Sequence, residues 1–121
     1  MPCTSAIFER VTLRKDNQIS NEKYTLNLKY LGTESNVCVY LITGSPDIIP
    51  GGSIKSGELY LNKTTNQITL SYIFDSAIRN DFEVYFILTK NGKNSWSGSQ
   101  TEVHNPPEGE CGAITKFSFV K

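Results

Sequence analysis

Apolar residues recur at every second position through most of this chain. Between residues 67 and 74, Ile68, Leu70, Tyr72 and Phe74 share one parity, and between 82 and 90, Phe82, Val84, Phe86 and Leu88 do the same. A period of two in β-branched and aromatic residues marks strands with one face in a core. The cleanest instance is 23–31, where Tyr24, Leu26, Leu28 and Tyr30 alternate with Lys23, Thr25, Asn27 and Lys29. One side of that strand meets water. A strand over 6–13 places Ile7, Val11 and Leu13 on one face. In 36–43 both parities are apolar, Val37, Val39 and Leu41 against Cys38, Tyr40 and Ile42, which suits a central strand covered on both sides. Shorter segments at 59–61, 93–100 and 112–120 complete a set of about eight strands, the last burying Phe117 and Phe119 or the opposite set.

Turn formers separate these strands. Short connections are expected at 32–35, 62–66 and 91–92, and longer ones at 14–22, 44–57, 75–81 and 101–111. Asn91-Gly92 favours a two-residue type I′ hairpin that pairs Lys90 with Lys93. The segment 44–57 is rich in Gly, Pro and Ser and carries neither strand nor helix by composition, with Ile48 and Ile49 as its apolar pins. The pattern predicts an all-β chain: a single antiparallel β-sandwich of about eight strands over residues 1–121, immunoglobulin-like or jelly-roll-like, with no substantial helix. A small barrel is the lesser alternative.

Composition adds limits more than direction. A chain of 121 residues can bury a core without staples. Twelve basic residues balance twelve acidic ones, which argues against a nucleic-acid partner. No apolar run approaches the length of a membrane-spanning helix, so no transmembrane segment is expected. The N-terminus lacks a secretory signal, which fits a cytoplasmic protein or one secreted by a route not using such a signal. Of the three cysteines, Cys38 lies in an apolar strand; a reducing compartment is the simpler reading, with a Cys3–Cys111 bridge as the alternative. Asn62-Lys63-Thr64 is a glycosylation sequon in a turn, a triplet that also arises by chance.

Candidate chemistry gathers at one end. Strands that alternate in direction send the short connections to one end and the long ones to the other. Asp16, Asp47, Asp75 and Asp81 all lie in the long set, with Glu102, Glu108, Glu110 and the single histidine, His104. Long loops on a rigid β scaffold are the usual place for a binding site, although aspartate also favours loops because it bonds its own backbone. Oxygen donors at Asp75, Asn80 and Asp81, with Asp47 and Glu102 nearby in the same set, raise calcium as a cofactor, with Asp75 and Asp81 as its ligands. The hairpin register expected at Asn91-Gly92 leaves Tyr85, Ile87 and Trp96 on the outer face. An exposed Trp flanked by Asn94, Ser97 and Gln100 suits a sugar, whose C–H face stacks on a ring while its hydroxyls need polar partners. A Trp packed beneath the loop ahead of Pro106 is the plainer alternative.

Catalysis finds little support. His104 lacks a nucleophile in a recognisable context, the 51–57 loop matches neither a nucleophile elbow nor a Walker loop, and one His with three scattered Cys makes no zinc site. The expectation is therefore a non-enzymatic, lectin-like module that binds a carbohydrate or glycoconjugate. Its candidate residues are Asp47, Asp75, Asn80, Asp81, Trp96, Glu102, His104 and Asn105, and a homo-oligomer would raise its avidity. The alternative is a protein–protein or assembly module of adhesion or capsid type, joined through an edge at 93–100. A calcium-dependent membrane binder with Ile48-Ile49 at a loop tip comes third.

Overall fold

The computed structural model describes residues 5–14, 19–44, 52–76, 82–104 and 110–120. Alternating sequence becomes eight antiparallel strands: β1 (Ser5–Arg14), β2 (Ile19–Glu34), β3 (Val37–Gly44), β4 (Gly52–Asn62), β5 (Gln67–Ser76), β6 (Phe82–Gly92), β7 (Ser95–His104) and β8 (Glu110–Phe119). Among the described residues there is no helix. Each strand pairs with its neighbours in sequence, and β8 returns to β1 from Ala6↔Phe119 to Leu13↔Gly112. The sheet is thus one closed up-and-down barrel and not the expected two-sheet sandwich. The two architectures share their alternation, so only the β1–β8 pairing separates them. Closure leaves no free edge, and β7, expected as an edge, is paired on both sides.

One parity of each strand fills the interior. Ala6, Phe8, Leu26, Leu28, Cys38, Tyr40, Ile42, Leu59, Ile68, Leu70, Tyr72, Val84, Phe86, Leu88, Trp96, Phe117 and Phe119 are all buried in one cluster. Edge-to-face rings run through it: Phe8 lies 5.6 Å from Tyr72 and from Phe86, and Phe117 lies 5.1 Å from Phe119. The outer parity is polar or mixed, with Glu9, Lys23, Asn27, Lys29, Glu58, Thr69 and Lys116 on it. That is the reverse of a lipid-facing barrel, whose outer wall carries an apolar band. In β1 the interior takes Ala6 and Phe8 and leaves Ile7 half-buried, against the face expected from Ile7, Val11 and Leu13. In β3 the second apolar parity, Val37, Val39 and Leu41, is half-exposed and not covered, because a barrel has one layer.

Strands extend further than composition suggests. β2 starts at Ile19 and β4 at Gly52, inside segments expected to be loops, because pairing with β1 and β5 supplies the ladder that local propensity does not. A bulge between Ile54 and Ser56 absorbs an irregularity of β4. Hairpin chemistry also differs from expectation. The two positive φ values of a type I′ turn fall on Ser35 and Asn36, joining Glu34↔Val37, and Gly32 (φ 143°) sits at a bulge of β2. The β6–β7 hairpin turns at Lys93-Asn94, with Gly92↔Ser95 and Lys90↔Trp96 as its last pairs. Lys90 and Lys93 are not partners. Asn62 closes the β4–β5 turn, its Oδ1 accepting the Thr64 and Thr65 amides at 2.9 and 3.1 Å.

Because consecutive strands are antiparallel neighbours, strand ends segregate as expected. The joints after β2, β4 and β6 lie at one mouth of the barrel. Strand ends flanking 15–18, 45–51, 77–81 and 105–109 lie at the other.

Candidate outer-wall site on β4 to β6

On β4 and β6 the same local pattern appears twice: Glu58-Leu59-Tyr60 and Glu83-Val84-Tyr85. The central Leu and Val are buried in the barrel, so each Glu and Tyr falls on the outer wall. Residues two apart on a strand share a face, and each tyrosine turns back to its own glutamate. The Tyr60 hydroxyl donates to Glu58 Oε2 at 2.8 Å and the Tyr85 hydroxyl donates to Glu83 Oε1 at 2.7 Å. The bond to Glu58 raises the Tyr60 pKa above its ordinary value of 10.0, with loss of hydration and the glutamate charge adding in the same direction. The Tyr60 phenol held this way stays neutral, keeping its own proton and donating it to the carboxylate.

β5 runs between the two pairs and sets their offset. Glu58 stands opposite Ser71, and Ser71 opposite Tyr85; one step along, Tyr60 stands opposite Thr69, and Thr69 opposite Ile87. β4 and β6 are two strand spacings apart, about 10 Å. Between them lies a shallow depression of about 290 Å³ whose wall includes Leu41, Glu58, Ser71, Ile73, Glu83 and Tyr85. Each hydrogen bond uses one oxygen of its carboxylate. The wall therefore presents further carboxylate oxygen, the Ser71 hydroxyl and tyrosine rings together, with Tyr60 37% exposed and Ile87 46% exposed beside them.

The residues singled out from sequence divide three ways. Glu102 is the register partner of Tyr85 and His104 the partner of Glu83, so the end of β7 brings both positions level with this wall. Asp75 lies near the end of β5 opposite Ser53, at the same mouth. Asp47, Asn80, Asp81 and Asn105 lie outside the described residues, as do Ile48 and Ile49 of the expected loop tip. Trp96 is placed elsewhere. It is buried inside the barrel at the opposite mouth, 5% exposed, because the bulge between Lys90 and Gly92 sets it opposite Lys90 and not Ile87, which gives it the interior parity. Ser97 and Ser99 take the outer parity expected for Trp96. Tyr85 and Ile87 do lie outside, as expected.

Sequence reasoning missed Glu58, Tyr60 and Glu83. Their signal was present: a repeated Glu-apolar-Tyr triplet, one copy of it in the strand at 82–90 whose apolar parity points to the core. Among the described residues no group of three His, Cys, Asp or Glu is arranged to hold a metal ion. Comparison with protein-family models, with curated proteins and with solved structures finds no match.

Proposed function

We propose that the protein is a non-enzymatic, lectin-like module that binds a carbohydrate or glycoconjugate across the β4–β6 wall toward the long-connection mouth. The observation that carries this reading is the pair of Glu–Tyr units flanking Ser71. Sugars need a ring against their C–H face and fixed acceptors for their hydroxyls. Tyrosines tethered to carboxylates supply both with little side-chain freedom left to lose on binding. Glu102 and His104 extend the same wall by register, Asp75 lies near the strand end at the mouth it leads to, and Asp47, Asn80, Asp81 and Asn105 stay in the proposal as candidates from the sequence. Calcium held by Asp75 and Asp81 is the cofactor form of the proposal, and a homo-oligomer would raise avidity without new contacts.

The test is a glycan-array screen with calcium and again with chelator, using the wild-type protein, Tyr60→Ala and Glu58→Gln. Selective binding that each variant weakens about tenfold supports the site, since a hydrogen bond to a charged group is worth about 1.5–3 kcal/mol. Binding lost on chelation adds the metal. Binding that survives both variants moves the site off this wall. A clean negative in both conditions favours the second reading, an assembly module. That reading draws on the exposed apolar residues of the outer surface, Leu31 at 57% and Ile87 at 46%, and would show as concentration-dependent mass in light scattering.

A further inference from the structure

The β4–β6 wall carries a charge that its hydroxyls do not explain. Glu58 and Glu83 both line the depression of about 290 Å³, and among the described residues no lysine or arginine lines it with them. Glu102, at the register position opposite Tyr85, brings a third acidic residue level with it. The lysines closest in register stay outside. Lys29 stands opposite Leu41, on the far side of that residue from Glu58, and Lys55 sits at the bulge ahead of Ser56. Neither forms an ion pair with Glu58 or Glu83. The bond each glutamate accepts comes from a phenol, which occupies one oxygen and removes none of the charge. Two negative charges therefore remain on a wall that a bound sugar would partly screen from water. Covering a carboxylate with no counter-charge is costly, whereas an ammonium makes a charge-assisted hydrogen bond to it. A metal ion suits this wall less well. β4 and β6 are about 10 Å apart, and each carboxylate is tied to a tyrosine of its own strand. One calcium ion needs its oxygens within about 2.6 Å.

We infer that the wall selects a glycan with free amino groups, a glucosamine-type sugar whose ammonium donates to Glu58 or Glu83 while its ring lies against Tyr60 or Tyr85. Ser71, midway between the two strands, is left for a ring hydroxyl. The inference rests on the reading of this wall as the sugar site and adds the charge of the sugar it takes.

Three β-linked tetrasaccharides test it by calorimetry, in a slightly acidic buffer that keeps amines protonated: those of glucosamine, of N-acetylglucosamine and of glucose. They differ at one ring position, which holds an ammonium, an acetamide or a hydroxyl. The glucosamine tetramer should bind at least about tenfold more tightly than either neutral one, and added salt should reduce that preference. Glu83→Gln should remove most of it. The control is Glu34→Gln, an exposed position at the joint after β2 and outside the depression, which should leave it unchanged. An equal loss in Glu34→Gln marks general attraction of a polycation and overturns the inference, as does a preference untouched by Glu83→Gln. Equal affinity for the three tetramers overturns the inference and leaves the sugar site standing. Absence of binding to all three overturns it too, and the glycan array then decides whether the wall takes any sugar.

Discussion

Closure of the barrel depends on how closely β6 and β7 approach, and Gly98 is the position that tests it. Gly98 is the register partner of Leu88. A Cβ built there would lie 2.0 Å from the carbonyl oxygen of Ile87, 2.9 Å from its carbonyl carbon and 3.1 Å from Leu88 Cα. All three are backbone atoms, so no rotamer change relieves the contact. To bring the first distance to 3.0 Å the strands must part locally by about 1 Å, which breaks a ladder hydrogen bond of normal length. Overpacking of this kind costs about 1–3 kcal/mol, and a buried backbone group left unmet adds about 1–3 kcal/mol. Gly98→Ala should therefore destabilise by about 2–6 kcal/mol, a large part of the about 5–15 kcal/mol typical of a domain. The control is Gly32→Ala. Gly32 has φ 143° with nothing within 4 Å of its built Cβ, so alanine there meets only backbone strain of about 1–3 kcal/mol. Urea unfolding followed by Trp96 fluorescence measures both. If Gly98→Ala shifts the midpoint no more than Gly32→Ala does, then β6 and β7 do not approach as described and the argument for this ladder fails.

Two further outcomes follow from the core and the outer wall. Phe8 is fully buried and touches Tyr72 and Phe86 edge-on at 5.6 Å, so Phe8→Ala should cost about 3–5 kcal/mol, and a loss below about 1 kcal/mol in denaturant unfolding would contradict its place at the centre of the barrel. Glu58→Gln should lower the Tyr60 pKa toward 10.0, because the glutamate bond and charge both raise it; ultraviolet titration of the phenolate reads the change, and an unchanged curve would show that the bond does not form in solution. The sign for stability follows from the same shift. Below the unfolded value Tyr60 contributes in full, and the contribution is lost as pH rises through the raised folded value.

Much of the barrel was legible because burial and period coincide. Ile68, Leu70, Tyr72, Val84, Phe86 and Leu88 were assigned to the core by parity alone and are buried. Trp96 was not, and the reason is local. Asn91-Gly92 carries the strongest hairpin signature in the chain, yet a bulge between Lys90 and Gly92 moves the turn to Lys93-Asn94. A shift of register reassigns which side chains of β7 point inward. Closure was illegible for a different reason: it depends on β1 meeting β8 across the whole length of the chain, and nothing local encodes that pairing. The outer-wall site lay between these cases. Its Glu–Tyr units are local, but their offset about Ser71 depends on the β4–β5 and β5–β6 registers.

Closure also narrows what the molecule can use for recognition. An open two-sheet sandwich offers free edges on each sheet, and a partner can extend any of them by adding a strand. Here β1 and β8 satisfy each other, with the ladder continued past its end by the Val120 amide donating to the Ser5 carbonyl at 3.0 Å. Backbone pairing is therefore spent on the fold. What remains for partners is side-chain chemistry on the wall, at the mouths or within. On the wall, polar positions such as Lys23, Asn27, Lys29, Thr69 and Lys116 are exposed single residues. The Glu58–Tyr60 and Glu83–Tyr85 units differ because their polar groups hold one another in place before any ligand arrives. Preorganised hydroxyls and carboxylates beside a ring are what the proposed sugar site requires; the same residues unpaired would make only a solvated face.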